Sequence, residues 1–228
     1  MNQDLSNIIH QIVLDIDNTI EGKFDVVLNR TNVCKTKWIR KGKKVTDSSG
    51  NEYVVMDFSI DEWLIATPVN AMSPPLEGII SINEPYFITG TKMSANREWT
   101  IVTNDVTAKT PIIWYLDFIR FKQFGRESTI EFESELRIFF LDETDVVNYY
   151  TQDHRDNVVQ PMTELVESFI ESVHGNRIFK RIEDFEILTF SRFGVEKENG
   201  MFQSILDADL SGVELRLTLV KYKENCKC

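Results

Sequence analysis

The sequence predicts a mixed α+β fold: a largely antiparallel β-sheet flanked by two amphipathic helices, with an additional β-rich insertion. Three patterns carry that expectation. Apolar residues step at three and four positions in two separate stretches, apolar and polar residues alternate along strands in the second half, and residues 23–109 hold short β-favouring runs divided by turn residues. A helix–sheet core domain of residues 1–22 plus 110–228 and a β-rich insertion or lobe at 23–109 follow from this division.

The first helix rests on Leu5, Ile8, Ile9, Ile12, Ile16 and Ile20, which place one apolar stripe on a single face. Asp4 or Ser6 can cap its start, and Gly22 offers a left-handed stop. His10 lies off the stripe and is expected in solvent. After Gly22 the period turns to two. Phe24 to Asn29 and Val33 to Ile39 read as strands, and Glu52 to Phe58 and Trp63 to Thr67 follow the turn Asp47-Ser-Ser-Gly-Asn51. Pro74-Pro75 can continue neither ladder nor helix and marks a linker between Ala71 and Gly78. Shorter strands are expected near Ile79 to Ile82, Tyr86 to Thr89 and Trp99 to Thr103, with a polar loop from Gly90 to Asn96.

The second half is more regular. Pro111 opens Ile112 to Phe121, a run apolar on both faces, as expected of a central strand covered on each side. Gly125 marks a turn before Ile130 to Leu141, where Phe132, Leu136, Ile138 and Phe140 point one way and Glu131, Glu133, Glu135 and Arg137 the other. Val158, Met162, Leu165, Val166, Phe169 and Val173 set out the second helix. Pro161 is expected in its first turn, with Asp153, Asp156 or Asn157 as cap and Gly175 at its end. Two closing strands run from Phe185 to Phe190 and from Val213 to Tyr222, the latter turning Val213, Leu215, Leu217 and Leu219 inward. The excursion from Gly194 to Ser211 reads as a short helix or a protruding loop.

Composition excludes several function classes. The chain has 228 residues, 42% of them hydrophobic, which is enough for a sizeable core. A net charge of −11 argues against wrapping nucleic acid, since phosphate neutralisation needs a cationic surface. Cys34, Cys226 and Cys228 form no even framework, which fits a reducing compartment. Asn-Gln-Asp after Met1 is neither basic nor apolar, so no signal peptide is expected, and no apolar run approaches the ~18 residues of a membrane span.

The chemical motifs are few. Neither a Gly-x-Gly-x-x-Gly nor a Gly-Lys-Ser/Thr phosphate loop occurs, His10, His154 and His174 are scattered, and Cys226-Lys-Cys228 is too tight for a metal knuckle. No cofactor or catalytic residue is expected. The carboxylates Glu131, Glu133 and Glu135, with Asp142, Glu143 and Asp145 beyond them, admit a metal-dependent enzyme. The plainer reading is a wet sheet face ending in a polar turn.

One segment departs from the acidic background. Lys35, Lys37, Arg40, Lys41, Lys43 and Lys44 crowd ten residues that include Trp38 and no acid; removing these six positive charges from the net −11 leaves −17. With a turn at Gly42 the tract reads as a basic ribbon. One reading is a solvated hairpin whose lysines keep a strand edge from aggregating. The other is a docking arm for an acidic neighbour or a DNA backbone, with Trp38 able to stack on a base.

The order of elements resembles a known plan. An N-terminal helix, β material, the strand opened by Pro111, a hairpin strand ending in Ile138-Phe-Phe-Leu-Asp142, an acidic connection and the helix opening Pro161-Met-Thr-Glu-Leu165 are followed by two more strands. This is similar to tail-terminator and head–tail connector proteins of tailed bacteriophages, neck ring components included, with crAss-like podophages as one such setting. The resemblance covers roughly residues 4–22 and 110–222, extends to the closing Leu210-Ser-Gly-Val-Glu-Leu215, and transfers no individual functional residue. It implies a tail-terminator-like, non-enzymatic virion protein of the neck or tail, assembled in the host cytoplasm as a ring of six or twelve copies. Its partners would be portal, connector or tail proteins, with DNA passing the channel without sequence-specific binding and no membrane involved. A ring subunit needs a sheet that continues or packs across copies and loops that dock on neighbouring rings, and an acidic lumen keeps DNA sliding. The alternative class is a soluble α+β binding module.

Overall fold

The computed structural model describes residues 2–102, 109–116, 120–124, 131–145, 148–190, 193, 195–198, 201–204, 206 and 209–221. The expected turn at Gly125, the strand ends at Thr103 and Tyr222, and Cys226 and Cys228 lie outside them. The fold is mixed α+β, mostly strands. Helix α1 (Asn2–Leu14) leads into β1 (Thr19–Asp25), β2 (Arg30–Val33), β3 (Lys44–Asp47), β4 (Glu52–Ser59), β5 (Trp63–Pro68) and β6 (Gly78–Ile82). These six strands close an antiparallel barrel in the order β1-β2-β5-β4-β3-β6, a Greek-key arrangement because β6 returns beside β3. Closure leaves the barrel no edge.

Helix α1 stops eight residues before Gly22. Asp17 Oδ1 accepts the Thr19 N–H at 3.0 Å and the Thr19 hydroxyl at 2.7 Å, an Asx turn that ends the helical period and releases Ile20 into the barrel. Gly22 is therefore a strand residue. A Cβ there would meet Ile80 Cδ1 and Thr31 Cγ2 at 2.6 Å, so only glycine lets β1 approach its neighbours. The strand expected over Phe24 to Asn29 gives way to a turn at 26–29, and that over Val33 to Ile39 ends at Val33.

The barrel leads into a second sheet. Its strands β7 (Tyr86–Gly90), β8 (Ile112–Leu116), β9 (Arg120–Phe124), β10 (Glu131–Glu143), β11 (Phe185–Phe190) and β14 (Leu210–Lys221) run in the order β11-β14-β10-β8-β7, with β9 also on β10. All pairs are antiparallel except β7 and β8. Helix α2 (Lys92–Val102) occupies their crossover, where a loop and a strand were expected. Thr91 accepts the Ser94 N–H at its N-terminus, and Ala95 and Trp99, one turn apart, seat it on the sheet. β7 and α2 thus belong to the sheet layer, not to the β-rich lobe, and the barrel proper spans 19–82.

Alternation sorts the sheet residues between two faces. Ile113, Tyr115, Leu136, Ile138, Phe140, Val213, Leu215, Leu217 and Leu219 share one core with α1 and the second long helix, as the closing strand's pattern indicates. Ile112, Trp114, Phe139 and Leu141 face the other way, against Trp99, Phe193 and Leu206. That helical segment comprises α3 (Thr151–His154), a π-helical turn at Arg155–Val159, and α4 (Gln160–Gly175). Pro161 accordingly lies inside a longer helix, and the widened turn before it accommodates a residue with no N–H to donate. Asp153 acts at its start, accepting the Tyr150 N–H at 3.0 Å, and every apolar position expected in this helix is buried. The 194–211 excursion contains a hairpin, β12 (Val195–Glu198) with β13 (Met201–Ser204).

β14 crosses β10 most tightly at Gly212, whose φ is +151°, and a Cβ there would overlap Phe140 O. Gly212→Ala is expected to lower stability by about 3 kcal/mol or more, measured by urea unfolding, with Gly50→Ala at an open turn costing far less.

Candidate functional site

The basic segment is neither an exposed hairpin nor a ribbon. Antiparallel alternation puts the 26–29, 48–51 and 69–77 connections at one end of the barrel; the α1–β1 link, residues 34–43 and the β4–β5 turn lie at the other. Residues 34–43 fill that second end. Thr36 donates its N–H to Asp61 at 2.9 Å, and the Trp38 indole donates to Asn83 O at 3.1 Å. Trp38 and Ile39 are buried in the common core, so Trp38 has no face left for a base.

Two of the four cations beyond Trp38 turn inward toward the sheet. Arg40, 6% exposed, donates Nε to Asp142 Oδ2 at 2.6 Å and NH2 to Asp142 Oδ1 at 2.8 Å, a bidentate pair. Lys43 places Nζ 3.4 Å from Asp142 Oδ1, donates to Thr110 O at 2.9 Å and also bonds the Thr110 hydroxyl. Asp142, at the end of β10 and 1% exposed, is thus the single fully buried carboxylate for two buried cations. Glu143 Oε2 stands 3.8 Å from the guanidinium and adds partial compensation. Burial works against the Arg40 charge, but the Asp142 carboxylate outweighs it and holds the guanidinium proton more firmly than usual. Burial pulls the Lys43 ammonium below its ordinary range. Asp142 was expected in a polar turn; it is the anchor joining barrel to sheet. A buried acid at the end of a strand, with a basic tract elsewhere, was the signal available for it.

The remaining basic residues are arranged differently. Lys37 donates to Asp17 O at 2.7 Å and to Asp17 Oδ2 at 2.8 Å, and that bond holds the Asp17 carboxyl down at about 2. Lys44 pairs on the surface with Glu52 at 2.8 Å. Lys35 and Lys41 are exposed. A coherent cationic docking surface is therefore not what the segment builds.

Beside it lies an acidic groove of 470 Å³ between the α1–β1 link, residues 35–37, Asp61 and α4. Asp15, Asp17, Asp61, Glu164, Glu167 and Glu171 line it, opposed by Lys35 and Lys37. Burial, reinforced by Asp61 and Glu167, pushes the Glu164 carboxyl up to about 7. Among the described residues no group of three or more His, Cys, Asp or Glu side chains is arranged to hold a metal ion, and no helix is long and apolar enough to cross a membrane. On the sheet face away from α1 and α4, Arg137 from β10 and Arg216 from β14 itself both donate to Glu214 Oε1, at 2.6 and 2.7 Å, so one carboxylate serves two guanidiniums.

Two outcomes test these placements. Asp142→Ala strands two cations and is expected to cost about 3–5 kcal/mol in denaturant unfolding, whereas the joint apolar replacement Arg40→Met, Lys43→Met and Asp142→Leu should recover most of it. Glu164 has its folded value above the unfolded 4.5, so the folded chain holds a proton that the unfolded chain releases, and stability falls as pH rises from about 4.5 to about 7. Glu164→Gln removes that loss: its Tm should exceed the parent's at pH 8 and converge with it at pH 4.

No protein-family model, curated protein or solved structure matches the chain.

Proposed function

We propose that the chain is a structural subunit of an oligomeric ring in the head–tail connector or tail of a tailed bacteriophage, bridging adjacent rings around the DNA channel. The observation that carries the reading is the far end of the barrel. Val26, Val27 and Leu28 form the β1–β2 turn, with Val27 91% exposed. The turn has a fixed shape: Asp25 Oδ1 accepts the Val27 and Leu28 N–H groups at 2.9 and 3.2 Å, and Asn29 closes it at φ 49°. Met72, 92% exposed, extends from the β5–β6 connection at the same end. An acidic chain gains nothing by holding four aliphatic side chains in water; covering them with another protein recovers roughly 25 cal/mol per Å².

The order of elements supports the same reading. A helix, a sheet and a second helix segment flank a compact barrel that projects an apolar tip, which suits a subunit that touches a neighbour at each end. The net charge of −11 suits a channel wall that DNA must slide past without adhering. Localisation in the virion belongs to this proposal.

Val27→Asp is expected to change monomer stability by less than about 0.5 kcal/mol, since the side chain touches little. It should reduce recruitment onto the portal and tail proteins of the same genome by tenfold or more, read by mass photometry and negative-stain microscopy. A parent protein that stays monomeric in every mixture overturns the proposal.

A further inference from the structure

The sheet, unlike the barrel, is open: among the described residues its path ends at β11 and β7, and β9, paired with β10 alone, is a third strand with a single partner. Among the described residues β11 pairs only with β14, and β7 only with β8. β11 has no proline, no lysine and no bulge over its six residues, and Glu186 is its one charged side chain. It also shows apolar side chains on both faces, Phe185 at 45% and Leu188 at 39% exposure. Backbone groups left in a row on such an edge fit one kind of partner, another strand.

We propose that β11 of one copy pairs with β7 of the next, so that one sheet continues from subunit to subunit. This rests on the ring reading and names its interface. Three observations favour this occupant. Following the pairings, β7 and β8 are parallel, and β10, β14 and β11 then alternate, so β11 runs opposite to β7. Repeating the subunit side by side therefore joins the two edges as an antiparallel ladder, the more stable kind. The lengths match, six residues against five. Charge decides between copies. Two β11 edges facing each other would gather Glu183, Asp184 and Glu186 twice over, whereas Tyr86 to Gly90 bears no charge. Joining two different edges is a heterologous contact, which closes into a ring when the rotation between copies permits.

Phe87 and Phe185, Ile187 and Thr189 share the sheet face covered by α1 and α4, as does Thr89 by alternation. The test uses full-length protein with Cys34→Ser, Cys226→Ser and Cys228→Ser. Thr89→Cys is combined in turn with Phe185→Cys, Ile187→Cys and Thr189→Cys, a set that samples each same-face register. Oxidation is performed alone and with the portal and tail proteins, beside negative-stain microscopy. The expected result is a covalent ladder extending beyond the dimer from at least one pair and from no single variant. Rings that form while no pair cross-links overturn the β11–β7 interface and leave the ring reading standing. A dimer from a β11 cysteine alone overturns it in favour of a two-fold β11 seam. Absence of both rings and cross-links in every mixture overturns the ring reading and the interface together.

Discussion

One carboxylate decides how the two halves of this protein are joined. Asp142 closes the inner strand of the sheet, and Arg40 and Lys43 reach it from the segment that plugs the barrel, 102 positions away in sequence for Arg40. A buried ion cluster is poor at adding stability, because desolvation offsets most of the attraction. It is effective at excluding alternatives. Any rotation of the barrel against the sheet would separate two buried cations from the buried Asp142 carboxylate that pairs with them. Specific orientation, rather than strength, is what the cluster contributes, while the shared apolar core supplies the driving force.

That arrangement places the most exposed apolar side chains of the barrel, Val27 and Met72, away from the joint. The barrel is closed and filled; the sheet is covered on one face by α1 and α4 and partly on the other by α2, Phe193 and Leu206. Open among the described residues are an apolar turn at one end of the barrel and the β11, β7 and β9 edges of the sheet. Surfaces of this kind are liabilities for a free monomer and assets for a subunit whose partners arrive in a fixed order. The acidic groove has a different character. It concentrates carboxylates between α4 and the filled end of the barrel, where burial pushes the Glu164 carboxyl up to about 7.

Much of the fold was legible in the chain. The alternation of Val213 to Leu219, the stripe from Val158 to Val173 and the strands at 52–59 and 63–68 follow directly from period and composition. The misreadings have separate local causes. Ile20 continues the helical spacing of Ile12 and Ile16, yet belongs to β1, because an isoleucine directly after an Asx turn serves a strand as well as a helix. Helix α2 was hidden by its polar surface: among its described side chains Ala95 and Trp99 are the buried ones, too few to set a period. Pro161 marked a helix start by rule and lies within one by virtue of a π-helical turn.

The basic tract marks the boundary between what the sequence could determine and what only the folded molecule decided. The sequence by itself determined the α+β class, the period of each long element and the inward faces of the strands, because those depend on neighbours within a few residues. It could count the cations from Lys35 to Lys44 but not say where they would sit. Tertiary structure settled that, burying Arg40 and Lys43 while leaving Lys35 and Lys41 outside. The reason is physical: a lysine or arginine is buried only where a counter-charge waits, and the counter-charge here comes from a strand that chain order places far away.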